Sequence, residues 1–342
     1  MSRWALFKGI RTKSVCGVFF LFGNCIVLAQ TNLSVAKFLE IDFPLISEMS
    51  GLAKSQDYED IFWTHNDSGD SSRLFALDSD GELIFPAFLK RTYHGNENEQ
   101  GKEPWPGLTI QLAANIDWED IAVSDGLIYI ADLGNNANAR RDLGIYIVNE
   151  PNPRSISQTR PLQFIPVRYP DQNSFPPEEW RFDSEAIFIH EGAIYILTKH
   201  RGRGIYQLAS GTNLYRLSDW RTDQINVLEK IDSHSEMFFV TASDLSPDND
   251  WLAVVGYTEL WLFPAPGMDD KWLSGDARRL SLSLDFSGSV EAITWIDQTT
   301  LLLGNEGGSW FKVNVEDIPL HDGESRSEDG MRQIRRRSPV YR

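Results

Sequence analysis

The chain has 342 residues, 32 basic against 49 acidic, a net charge of −17, and only two cysteines. That balance argues against a general nucleic-acid or anionic-membrane binder, which carries a basic surface. The length is enough to bury a sizeable core without disulfides.

Residues 1–29 read as a secretory leader. Arg3, Lys8, Arg11 and Lys13 make a basic start, Val15 to Leu28 is mostly apolar, and small residues precede Gln30. Gly23 and Asn24 interrupt the run, which is too short for a membrane span; a single anchor is the alternative. Cys16 and Cys25 both fall in this segment, so the mature chain is expected to be thiol-free, exported to the periplasm or outside the cell, and soluble.

The rest is punctuated by short β-type strands. "VAKFLEIDFPLI" from Val35 is followed by "SGLAKS", "DIFWTHN", "RLFALD" and "DGELIF". A second series runs "WEDIAVS", "LIYIAD", "LGIYIVN" and "LQFIPVRY"; a third runs "SEAIFI", "AIYILTK" and "IYQLA". A fourth is "SDLSPDND", "WLAVVGY", "LWLFPAP" and "RRLSLSL", and a fifth is "VEAITWID", "TLLLGNE" and "WFKVNV". Alternating β-branched and aromatic residues between Gly, Asn and Asp turns are a β signature, and no helix of confident length appears. The tail 321–342 lacks periodicity, ends with Arg335, Arg336 and Arg337, and is expected to be a disordered basic extension.

Each series begins with Ser or Glu before an apolar pair: Ser50, Glu119, Glu185, Ser243 and Glu291, spaced 69, 66, 58 and 48 residues apart. Each interval fits one four-stranded antiparallel sheet. Repetition on this scale predicts an all-β, five-bladed β-propeller over residues 30–320, in which the strand from Val35 completes the last blade and closes the ring. Six blades are the alternative, because Lys90 to Ala114 and Leu214 to Ile231 exceed one strand.

Antiparallel order puts the first residue of each inner strand and the loop after each second strand on one face. The five repeated residues then form a ring of oxygen donors, which predicts a metal site. Calcium suits carboxylates and hydroxyls, and the lack of His and Cys argues against zinc or copper. The alternative is that they are turn residues capping backbone amides.

One-per-blade Ser, Glu, Glu, Ser, Glu resembles the calcium-centred five-bladed propellers of the apyrase, or calcium-activated nucleotidase, type. The resemblance implies that Ser50, Glu119, Glu185, Ser243 and Glu291 hold a central calcium. Outside the ring, nucleotide-contacting residues do not match one by one. "WEDIA", "GNNANARRDLGIYIV", "SEAI" and "SPD" also resemble bacterial secreted propellers of undefined activity, over Ser50 to Glu306.

The loops of that face carry Asp67, His65 and Asp132, which could activate a water beside a metal, and Arg141 and Lys199, which could stabilise charge on a phosphoryl oxygen. These five are the expected catalytic set. Arg and Lys on the rim suggest an anionic small molecule; a solvated loop surface is the alternative. Two functions remain open: a calcium-dependent hydrolase of phosphate or other esters, or a non-catalytic propeller binding a protein, peptide or glycan. Trp63, Trp118, Trp180, Trp295 and Trp310 could make the aromatic patch of the latter; packing of most of them between blades is the alternative. A monomer is expected.

Overall fold

The computed structural model describes residues 35–203, 207–267 and 269–321. The leader, its cleavage point and the tail beyond residue 321 lie outside the described residues.

Five antiparallel sheets stand around one axis. From the axis outward, the first blade is Met49–Lys54, Phe62–Asn66 and Arg73–Leu77, with Leu83–Ile84 and Leu108–Ile110 sharing the outer position. The second is Trp118–Ser124, Leu127–Asp132, Gly144–Asn149 and Gln163–Arg168, and the third Trp180–His190, Ala193–Arg201, Ser210–Leu217 and Glu229–Phe238. The fourth is Val240–Leu245, Trp251–Gly256, Glu259–Pro264 and Arg278–Ser281. The fifth is Val290–Trp295, Thr300–Asn305 and Ser309–Asn314, completed by Val35–Glu40. That pairing closes the ring and removes the edge strand.

No sixth blade forms from the two long segments. The first supplies a small parallel pair, Tyr93–His94 with Glu103–Pro104, and the outer strand Leu108–Ile110. The second supplies strands of the third blade and an edge contact, Asn226–Val227. One strand differs from expectation: the third strand of that blade is "SGTNLYRL", not "IYQLA". It looks polar, but Gly211, Thr212 and Asn213 are buried beside the preceding strand, which runs on to Arg201.

Five apolar clusters account for the core, one at each blade junction. Between the second and third blades, Tyr129, Ile145 and Ile165 meet Ile187, Ile194 and Ile196. Between the fifth and first, Leu302 and Trp310 meet Met49, Phe62 and Phe75. Each blade is covered on both faces, so Val290–Trp295 is buried at every position. Hairpins of the opposite face turn tightly: Asp125 and Gly126, and Glu191 and Gly192, all have positive φ. Such two-residue turns match the strand twist.

Every inner strand carries a register irregularity near its start, at Gly51, between Trp118 and Ile121, and at Glu185, Thr241 and Glu291. An extra residue there re-aims a side chain that regular pleating would bury between blades. This bulge is why carboxylates can turn toward the axis.

Candidate metal centre

Strand pairing confirms which loops share a face. Met49 lies opposite Asn66, Trp118 opposite Asp132, Trp180 opposite Arg201, Val240 opposite Gly256 and Val290 opposite Asn305.

Glu119, Asp183 and Glu185 lie there, all buried, each offering an oxygen within 4.8 Å of the other two. This cluster could hold a metal ion. Asp67, Asp117 and Glu119 make a second trio by the same measure, so Glu119 belongs to both. Carboxylates this close repel strongly: at about 4 Å and an effective dielectric of about 20, two charges interact by about 4 kcal/mol.

The protein relieves part of this itself. Lys199, almost fully buried, donates to Glu185 Oε2. Its ammonium also faces the rings of Tyr257 at 5.1 Å and Phe239 at 5.6 Å. Arg201 Nε donates to Asp183 Oδ2 at 3.2 Å, and its Nη2 stands 3.9 Å from Glu185 Oε1. The other oxygen of Asp183 accepts the Asn135 amide at 2.6 Å. Glu291 feels the charge of Lys199 and the repulsion of Glu185 and Glu306.

Protonation follows this division. Burial raises Glu185 to about 8 against the pull of Lys199. Burial, with Asp67 and Asp183 adding repulsion, raises Asp117 to about 7. Glu119 is pushed well above the carboxylate range by burial and then by Glu185, Asp67 and Asp117. Lys199 is raised despite its burial, because Glu185 and Glu291 favour its charge.

The expected ring is assembled only in part. Glu119, Glu185 and Glu291 are buried near the axis, but Lys199 stands with Glu185 and is coupled to Glu291. The Ser50 hydroxyl donates to the Glu119 carbonyl at 2.5 Å, a link between the first two blades. Ser243 is buried with no partner for its hydroxyl among the described residues, and its amide donates to Asp120 at 3.2 Å.

The five expected catalytic residues separate. Asp67 joins Asp117 and Glu119. Lys199 is an internal counter-charge rather than a rim residue. His65 is fully buried, with Nδ1 bonded to the Asn66 carbonyl at 2.9 Å, and burial lowers it to about 4. Its free Nε2 faces Gly51, where an added Cβ would stand 2.8 Å away. Asp132 pairs with Arg140 at 3.0 Å and accepts the Asp117 amide at 3.1 Å, so it positions Asp117. Arg141 is exposed and lies over the Phe175 ring at 4.4 Å. Of the five tryptophans, Trp63, Trp118, Trp295 and Trp310 are buried, so they present no aromatic patch.

Asp117, Asp183, Arg201 and Tyr257 complete the constellation. The signal for two of them was present: "DWE" and "DSE" place Asp two residues before the repeated Glu, the spacing that returns a side chain to the same strand face. Gly134 has a definite steric role. A Cβ there would come within 2.1 Å of Glu119 Oε1 and 2.5 Å of Asp117 Oδ2.

No family model and no curated protein matches the chain. Among solved structures it is similar to a luciferin-regenerating enzyme, 9% identical, covering 83% of this chain and 96% of that one, with a TM-score of 0.39. It is also similar to a putative oxidoreductase (glucose dehydrogenase) of Thermus thermophilus, 10% identical over 82% and 99%, TM-score 0.43. U3-55K is 10% identical over 78% and 68%, TM-score 0.36. All are distant, and the propeller is established by this chain's own strand pairing.

Proposed function

We propose that this propeller is a divalent-cation-dependent hydrolase of phosphate or other ester bonds, acting from the face that carries Glu119. The observation that carries it is the buried group Glu119, Asp183 and Glu185, beside the fixed cations Lys199 and Arg201. The donors are carboxylate oxygens, with neither imidazole nor thiolate among them, which suits calcium over zinc. When bound, such an ion supplies Lewis acidity and lowers the pKa of a water. Arg201 and Tyr257 are placed to orient an anionic oxygen. The nucleotidase-type resemblance of the ring motif agrees with a phosphate ester as substrate, and the leader agrees with work outside the cytoplasm.

The test is metal analysis of the purified protein, then an ester panel, including a phosphodiester and a nucleoside diphosphate, with and without calcium. Calcium-dependent turnover abolished by Glu119→Gln supports the reading. A folded, calcium-loaded protein that turns over no ester overturns it and leaves a binding propeller with a structural ion.

A further inference from the structure

We propose that the cation is held off the propeller axis, by Asp67, Asp117 and Glu119 between the first and second blades, while Lys199 supplies the positive charge on the axial side. This rests on the metal-dependent reading and assigns the ion a place within it.

The first observation is the distribution of partners. Toward the third to fifth blades, the acids are served by protein cations. Glu185 has Lys199, Asp183 has Arg201 and the Asn135 amide, and Glu291, with no such donor among the described residues, faces the charge of Lys199. Toward the first and second blades they are served less: Asp67 accepts only the amide of its neighbour Ser68, at 2.5 Å, and no donor meets the carboxylate of Asp117 or Glu119 among the described residues. No ion pair reaches Asp67, Asp117 or Glu119 among the described residues; Arg140, the nearest cation to Asp117, is spent on Asp132 and Asp142.

The second observation is Glu119 itself. It is only 3% exposed, and no donor reaches its carboxylate among the described residues. Three buried carboxylates elsewhere differ. Asp120 accepts three backbone amides, Glu259 is held by Arg279 and the Phe238 amide, and Glu150 accepts from Trp63. A buried acid without a donor calls for a counter-ion.

The surroundings hold the trio in place. Asn115 Nδ2 donates to the carbonyls of Asn66 and Asp67, tying the Asp67 loop to the turn that carries Asp117. Asp132 holds the Asp117 amide. Gly134 lets its backbone approach Glu119 and Asp117 closer than any side chain would allow. Three carboxylates from two blades, fixed before an ion arrives, match a hard cation completed by waters or substrate oxygens. An axial ion among Glu119, Glu185 and Glu291 would meet the Lys199 ammonium instead.

The experiment is calcium titration by calorimetry of the full mature chain, wild type against Asp117→Asn and Glu291→Gln, with melting in chelator as the folding control. Asp117→Asn should weaken calcium by about tenfold or more while its chelator-treated melting temperature is unchanged or higher, because a repulsion is removed. Glu291→Gln should change affinity by less than about threefold. Normal affinity in Asp117→Asn with loss in Glu291→Gln places the ion on the axis and overturns the proposal, leaving the metal-dependent reading intact. Wild type that binds no calcium, magnesium or manganese overturns both.

Discussion

The carboxylate of Asp120, on the second blade, accepts the backbone amide of Ser243, on the fourth, at 3.2 Å, and that of Ile187, on the third, at 3.0 Å. One side chain therefore ties three inner strands together across the axis. Asp244 does the same between the fourth and fifth blades, accepting from the Trp295 amide and the Thr294 hydroxyl, both at 2.9 Å. Polar staples of this kind join neighbouring inner strands around the axis. Asp120→Ala leaves buried amides without acceptors and should cost about 2 to 4 kcal/mol, measured by denaturant unfolding in chelator. An unchanged midpoint would show that other acceptors replace the carboxylate.

Lys199→Met removes the internal cation and leaves Glu185 buried without its partner. Breaking a buried pair in this way costs about 3 to 5 kcal/mol. The loss should be smaller in calcium than in chelator, because a cation at Asp67, Asp117 and Glu119 would relieve part of the repulsion that Lys199 offsets. Thermal melting under both conditions checks this; equal losses would mean that no ion can replace Lys199.

Gly134→Ala should separate site from fold. The added methyl collides with Glu119 and Asp117, whereas the strands of the second blade are untouched. Calcium affinity should fall by about tenfold or more, with chelator-treated stability within about 1 kcal/mol of wild type. Calorimetry and melting together read both quantities.

Arg141→Ala should be nearly silent in stability. Its guanidinium is exposed and stacks on Phe175, a contact worth about 0.5 to 1 kcal/mol. If the rim recognises an anionic substrate, KM should rise with kcat unchanged. An unaltered KM would identify Arg201, rather than Arg141, as the residue to vary next.

The acid limb of stability should depend on His200. Burial, then the charges of Arg181 and Lys230, lowers its folded pKa to about 3. In the unfolded chain an imidazole takes its proton near pH 6.5. Between these values the unfolded state holds the extra proton, so stability is present above about pH 6.5 and is lost as pH falls toward 3, by up to about 1.4 kcal/mol per pH unit. His200→Gln should flatten that limb in denaturant titrations from pH 7 to 4; an unchanged slope would assign it to the other buried histidines.

The blade count and the closing strand were legible in the sequence. They rest on local rules: period-two alternation, Gly and Asn turns, and a repeated Ser or Glu before an apolar pair. "DWE" and "DSE" also held Asp117 and Asp183 in view, since residues two apart share a strand face. The partners of these acids were decided by tertiary structure. Lys199 meets Glu185 because a bulge between Ser184 and Ala186 shifts the pairing of two adjacent strands. Arg140 turns inward and Arg141 outward because the Asn135 side chain accepts the Arg140 amide, at 2.9 Å, and sets the loop's course. Neither a bulge register nor a loop's hydrogen bonds can be read from residue spacing, and in this molecule they decide which carboxylates are neutralised by protein cations.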